Sequence, residues 1–221
     1  MVRSQKESIA VCLADDHQLV REGLRVLLEA EGDIHVVGEA SDGRTAIALV
    51  ADRQPDIVVM DITMPELNGI DATRRIREEY PSTRVVILSM HATREHVFRA
   101  IRAGADGYVL KESAANEVVS AVRSVARGHR YLSEKIVDLV IDDYIQAGEQ
   151  ERSPLDRLSA REREIFQLTA EGKSLKDIAE TLFLSPKSVE TYRSRVYDKL
   201  GVRDLPGLVK LAIQFGIIDA S

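Results

Sequence analysis

The stretch Ile57-Val58-Val59-Met60-Asp61-Ile62-Thr63-Met64-Pro65 decides the fold. Its first four residues form a short apolar run without polar alternation, which suits a strand buried on both faces of a sheet. A carboxylate stands at its end, and Pro65 and Gly69 mark a tight loop before the next helical stretch. Four runs of the same kind lie around it: Ile9–Ala14, Ile34–Gly38, Val85–Leu88 and Tyr108–Leu110. Amphipathic stretches between them, such as Leu19-Val20, Leu24, Leu27-Leu28 and later Val97-Phe98, Ile101, fit crossover helices. These units predict an α/β doubly wound domain with a five-stranded parallel sheet over residues 8–127, whose ligand crevice lies outside the carboxyl ends of the strands.

After Gly128 the pattern changes. Ser133 predicts the start of a helix through Ile136-Val137, Leu139-Val140 and Tyr144, broken at Gly148 by the polar stretch Glu149–Pro154. Residues 128–157 therefore read as a linker containing a helix. From Leu158 onward the pattern is helical. Ser159 with Glu162 is an S-x-x-E capping box, Ser174 precedes a second helix, and Ser185-Pro186 is an N-cap followed by proline at the first helical position. Four helices near 160–172, 175–182, 186–200 and 205–214 make a small all-α helix-turn-helix domain over residues 158–221.

Net charge of −6, from 30 basic and 36 acidic side chains, argues against a uniformly basic nucleic-acid binder. Its distribution says something different. Residues 1–127 carry −4, residues 128–157 carry −3, and residues 158–221 carry +1. The lone Cys12 can form neither an intramolecular disulfide nor a zinc cluster and reads as a small buried hydrophobe. The polar start Met1–Ser8 lacks the apolar core of a signal peptide, and no apolar run approaches membrane-spanning length. The expectation is a soluble cytoplasmic protein with no membrane partner.

Asp15 and Asp16 follow the first strand and Asp61 ends the third, which gathers three carboxylates at one sheet edge. Like charges there call for a cation, and a hard divalent ion such as Mg²⁺ meets the need with oxygen ligands. Lys111, just past the fifth strand, and Ser89, at the end of the fourth, complete a pocket for a phosphoryl group. These residues, with Met60–Pro65 and Gly107–Lys111, resemble the receiver domain of bacterial two-component response regulators, which has a flavodoxin-like fold. The resemblance covers residues 8–127. It implies that Asp61 accepts a phosphoryl group from a phosphohistidine of a sensor histidine kinase. It also implies that Asp16, Asp61, the Thr63 backbone carbonyl and, through water, Asp15 hold Mg²⁺, while Lys111 binds a phosphate oxygen. Ser89 and Tyr108 become switch residues, Tyr108 turning inward into the space that the Ser89 hydroxyl vacates. The loop histidines His17 and His91 receive no role.

In the third C-terminal helix Val189, Tyr192, Val196 and Leu200 form one apolar stripe, and Lys187, Glu190, Thr191 and Ser194 lie opposite. Arg193, Arg195 and Lys199 add basic charge near that face, as in a recognition helix entering a major groove. Leu158 to Ile218 resembles the four-helix DNA-binding domain of the NarL/LuxR type, in which the last helix pairs two protomers. Here Leu208, Leu211 and Ala212 suit either that pairing or the domain's own core. The implied partners are the sensor kinase, promoter half-sites in double-stranded DNA and a second copy joined on phosphorylation. Two other classes compete. An aspartyl phosphohydrolase of the haloacid-dehalogenase type places a second aspartate two residues after the nucleophile, where this chain has Thr63, so the reading is not an enzyme. A protein-binding scaffold predicts no specific DNA affinity.

Overall fold

A computed structural model describes residues 8–146 and 154–218. The first part alternates strands and helices: β1 (Ile9–Ala14), α1 (Gln18–Glu29), β2 (Ile34–Ala40), α2 (Gly43–Arg53), β3 (Ile57–Asp61), α3 (Gly69–Glu79), β4 (Arg84–Ser89), α4 (Arg94–Arg102), β5 (Gly107–Leu110) and α5 (Ala114–Ala126). All strands pair in parallel in the order β2-β1-β3-β4-β5. The order reverses between β1 and β3, which opens a crevice at their carboxyl ends. Two apolar clusters cover the faces of the sheet. One includes Met60, Ile87 and Tyr108 with residues of α2, α3 and α4, and the other includes Val59, Leu88 and Val109 with residues of α1 and α5.

The five expected strands are all present, and a sixth joins them at the edge. A two-residue strand β6 (Tyr131–Leu132) pairs in parallel with β5. It follows a turn at Gly128, whose φ of 91° is a left-handed conformation that glycine adopts without strain. So short a strand leaves no periodic trace. Ser133 precedes α6 (Glu134–Gln146) as expected, yet its hydroxyl accepts from the Leu110 amide at 3.2 Å and ties the segment to β5. Ile136 then packs in the core of the first domain. Gly148 and residues 149–153 of the expected linker lie outside the described residues. Pro154–Arg157 form a 3₁₀ turn, and Leu155, within the segment read as linker, packs in the C-terminal core.

The remaining helices are α7 (Ala160–Ala170), α8 (Leu175–Leu182), α9 (Pro186–Leu200) and α10 (Leu205–Gln214), close to their expected bounds. Ser159 and Glu162 form the capping box, Ser174 forms another with Asp177, and Ser185 caps α9 ahead of Pro186. Ser159→Ala is expected to cost about 1 kcal/mol, the usual worth of an N-cap, measurable by denaturant unfolding. Leu208 and Ala212 are buried in the core around Phe166 and Val196, and half-buried Leu211 packs against it.

α7 also lies against the first domain. Glu164, buried, meets Arg44 of α2 at 3.1 Å and Arg75 of α3, and Arg163 meets Asp71 at 2.6 Å. At the other end of the contact Arg99 of α4 donates to the carbonyl of Phe215, and Arg102 reaches Asp156 at 2.9 Å.

Candidate functional site

The carboxyl edge of the sheet brings together the acidic residues named from sequence. Asp61 is the last residue of β3 and Asp15 and Asp16 follow β1, so parallel pairing of these neighbouring strands sets the carboxylates side by side. Asp15 and Asp61 are buried, at 2% and 4% exposure, whereas Asp16 is exposed. Ligand atoms of Asp15, Asp16, Asp61 and His17 all lie within 4.8 Å of one another. The Nζ atom of Lys111 sits 2.7 Å from Asp15 Oδ2 and 2.7 Å from Asp61 Oδ2, bridging the two.

One ammonium does not balance three carboxylates. Burial pushes the Asp61 carboxyl up to about 7, Asp15 and Asp16 add to the rise, and Lys111 opposes it. Burial also works against the charge on Lys111, but Asp61 and Asp15 outweigh it and raise its pKa above the ordinary value. A crowded set of oxygen donors with excess negative charge fits a small hard divalent cation.

The backbone beneath Asp61 is fixed by close approach. A Cβ at Gly69 would fall 1.8 Å from the Asp61 carbonyl oxygen, and the Gly69 amide donates to Ile62 O at 2.8 Å. Between them the loop passes through Glu66 at φ 64°, a left-handed conformation held by a residue other than glycine. Half-buried Thr63 stands in this loop two residues after Asp61.

Ser89 and Tyr108 are both fully buried. The Tyr108 ring lies inward, in the core, and its hydroxyl donates to His91 O at 2.6 Å. Burial pushes that phenol up to about 12, so it remains a donor. The Ser89 hydroxyl accepts from the amide of the same residue, His91, at 3.0 Å. Ser89 and Tyr108 thus both hold one peptide segment, which leads into α4, and the His91 ring stacks on buried His96 at 4.5 Å. His17 also acquires neighbours: its Nδ1 is 2.6 Å from Asp16 Oδ1 and 3.3 Å from Asp15 Oδ1. Adjacency to the aspartate pair was the available signal for His17. No sequence signal marked the backbone of His91.

On α9, Val189 and Val196 are buried and Tyr192 and Leu200 half-buried, while Lys187, Glu190, Thr191, Ser194 and Arg195 are exposed. The face expected to read bases therefore points to solvent even with α7 against the first domain. Arg193, Glu190 and Ser194 border an open cleft of about 680 Å³ shared with Lys173 and Arg203. Thr191 turns its hydroxyl back to the Lys187 carbonyl at 3.0 Å, and Arg195 lies over the Tyr192 ring. Lys199 departs from the set. Its Nζ pairs with Glu162 of the capping box at 2.6 Å, which fastens α9 to α7.

Residues 11–123 match the family described as the response regulator receiver domain, and residues 156–212 match bacterial regulatory proteins of the luxR family. The chain is 39% identical over 216 residues to the transcriptional regulatory protein MctR of Rhizobium johnstonii, covering 98% of each. A LuxR-family response regulator from Aurantimonas shares 39% identity at a TM-score of 0.61, over 62% of this chain and 99% of that one. A structure of the RcsB–DNA complex aligns over 92% of this chain and 96% of RcsB at 26% identity, with a TM-score of 0.57. The chain belongs to the two-component response regulators of the LuxR family, a receiver domain followed by a LuxR-type DNA-binding domain.

Proposed function

We propose that a sensor histidine kinase passes a phosphoryl group to Asp61 and that this transfer controls how the C-terminal domain binds DNA. The observation that carries the reading is the juxtaposition of buried Asp61 with Asp15, Asp16 and Lys111 at the carboxyl edge of the sheet. In the transfer an Asp61 carboxylate oxygen attacks phosphorus and the bond from phosphorus to the histidine nitrogen breaks, returning that electron pair to the imidazole. Asp15, Asp16, Asp61 and the Thr63 carbonyl would hold Mg²⁺, which supplies charge neutralisation for the incoming phosphoryl group. Lys111, already 2.7 Å from Asp61, stands ready to bind a phosphoryl oxygen. Ser89 can donate its hydroxyl proton to another. A turn of its side chain toward the phosphoryl group carries Oγ away from the His91 amide, and the segment also held by Tyr108 then shifts at the start of α4.

The contact between α7 and the receiver is built from buried charged and amide groups. Such pairs contribute little net stability relative to their hydrated state, which suits a contact that forms and releases. The exposed face of α9 is uncovered in the docked arrangement, so docking leaves base reading open and control falls instead to the joining of two protomers. The recognition helix carries +2 from Lys187, Arg193, Arg195 and Lys199 against Glu190 and Asp198, and Lys199 is occupied by Glu162. One protomer therefore makes few phosphate contacts, and a dimer on two half-sites gains affinity through the second. That reading gives the chain a place in the cytoplasm, where kinase domain and DNA are accessible. Among the described residues no helix is long and apolar enough to cross a membrane. Thr63 in place of a second catalytic aspartate favours a regulator over a phosphohydrolase.

Incubation with a small phosphodonor and Mg²⁺, followed by peptide mass spectrometry, is the test. Phosphoryl incorporation confined to the peptide containing Asp61 is expected. Incorporation elsewhere, or sustained turnover of phosphate esters, would refute the reading.

A further inference from the structure

The loop that leaves the phosphoacceptor has hydrogen-bond partners in the other domain. Gln167 of α7 is fully buried. Its Oε1 accepts from the Asn68 amide at 2.8 Å and from Asn68 Nδ2 at 3.0 Å, and its Nε2 donates to the Met64 carbonyl at 3.0 Å. The same Nε2 donates to Glu171 Oε1 at 2.8 Å, and that oxygen accepts from the Glu66 amide at 3.1 Å. A carbonyl and two amides of the segment 64–68 are thus bonded to one face of α7. A primary amide donates to the carbonyl and accepts from the amide at once, through separate atoms.

We propose that Gln167 is a positioning residue for phosphoryl transfer: α7 holds the loop after Asp61 in its resting conformation, and loading of Asp61 and docking of α7 oppose each other through that loop. The inference rests on the function proposed above and deepens it by naming the contact that couples the two events. Buried amide bonds at 2.8 to 3.0 Å are lost rather than stretched when their partners move. A shift of the 64–68 backbone is therefore paired with undocking. Coupling of binding equilibria is reciprocal, so if loading of Asp61 releases α7, weakening the α7 contact must favour loading. This route is separate from the one through Ser89, His91 and α4, which reaches the C-terminal domain at Phe215.

The test uses the full chain with beryllium trifluoride and Mg²⁺ as the phosphoryl mimic, followed by calorimetry, with hydrogen exchange read at residues 64–68 and α7. Gln167→Met keeps the volume and removes the bonding groups, and Glu171→Ala, at a half-buried position, is a second variant that removes the Glu66 contact. Wild type is expected to bind the mimic and to lose protection in α7 on loading. Gln167→Met is expected to show that loss before loading and to bind the mimic about fivefold tighter or more, with Glu171→Ala shifted the same way. A merely destabilised protein would bind more weakly. Failure of wild type to bind would overturn the phosphoacceptor reading itself, and binding with unchanged α7 protection would overturn release. Binding and release in wild type, with variant affinities equal to or below it, would overturn the role of Gln167 alone.

Discussion

Gly69→Ala is expected to lower stability by about 3 kcal/mol, at the severe end of single substitutions, and to abolish phosphoryl uptake at Asp61. The added methyl carbon would stand 1.8 Å from the Asp61 carbonyl oxygen and 2.8 Å from its carbonyl carbon, both backbone atoms of a central strand. Neither can swing away as a flexible side chain could, so β3 or the start of α3 has to move. Asp61 moves with it, away from Lys111 and Asp15. For a chain of this size the melting temperature should fall by roughly 6–12 °C. Gly23→Ala is the control, since a Cβ there meets nothing within 4 Å on the exposed face of α1. Alanine should stabilise that helix by about 0.5–1 kcal/mol. Paired thermal melts and phosphodonor uptake assays check both. A Gly69→Ala protein that melts and is phosphorylated like wild type would contradict the description of the loop.

Asp61→Asn is expected to abolish phosphoryl uptake and at the same time to stabilise the protein at alkaline pH. The Asp61 carboxyl titrates near 7 in the folded chain, against an ordinary value of 3.8. Between those values the folded protein holds a proton that the unfolded chain has released. Stability therefore declines as pH rises through this window and levels off above about 7. The full penalty is up to about 4 kcal/mol at roughly 1.4 kcal/mol per pKa unit. Asparagine removes the buried charge but also one partner of Lys111, which keeps Asp15. The expected gain at pH 8 is on the order of 1–3 kcal/mol, vanishing near pH 5. Denaturant unfolding of both proteins in a chelating buffer between pH 5 and 8 measures it. A gain that is the same at all pH values would contradict the assignment of the penalty to the Asp61 charge. Added Mg²⁺ should stabilise wild type more than Asp61→Asn.

Features repeated along the chain were the ones legible in the sequence. Five apolar runs with charged or hydroxylic residues at their ends place Asp15, Asp61, Ser89 and Lys111 on one edge, because parallel strands put every carboxyl end on the same side. Ser159, Ser174 and Ser185 fix where three helices begin, since each cap is a local bond within four residues. What sequence missed depends on contacts between distant residues. Two residues at Tyr131–Leu132 carry no period, yet pairing with β5 makes them a strand. Lys199 sits among basic residues of the recognition helix, and only the packing of α9 on α7 brings it to Glu162. The bonds of Gln167 to Asn68 and Met64 join residues 99 and 103 positions apart, and nothing in the neighbourhood of either partner announces them.

The central claim is that the charge state of Asp61 governs DNA binding. Genomic fragments selected by the protein should be titrated with wild type and Asp61→Asn, each with and without a small phosphodonor, at one fixed salt concentration. Wild type with phosphodonor should bind about tenfold tighter than the other three samples, and those three should agree with one another. Equal affinities in all four, or a phosphodonor response that persists in Asp61→Asn, would contradict the claim.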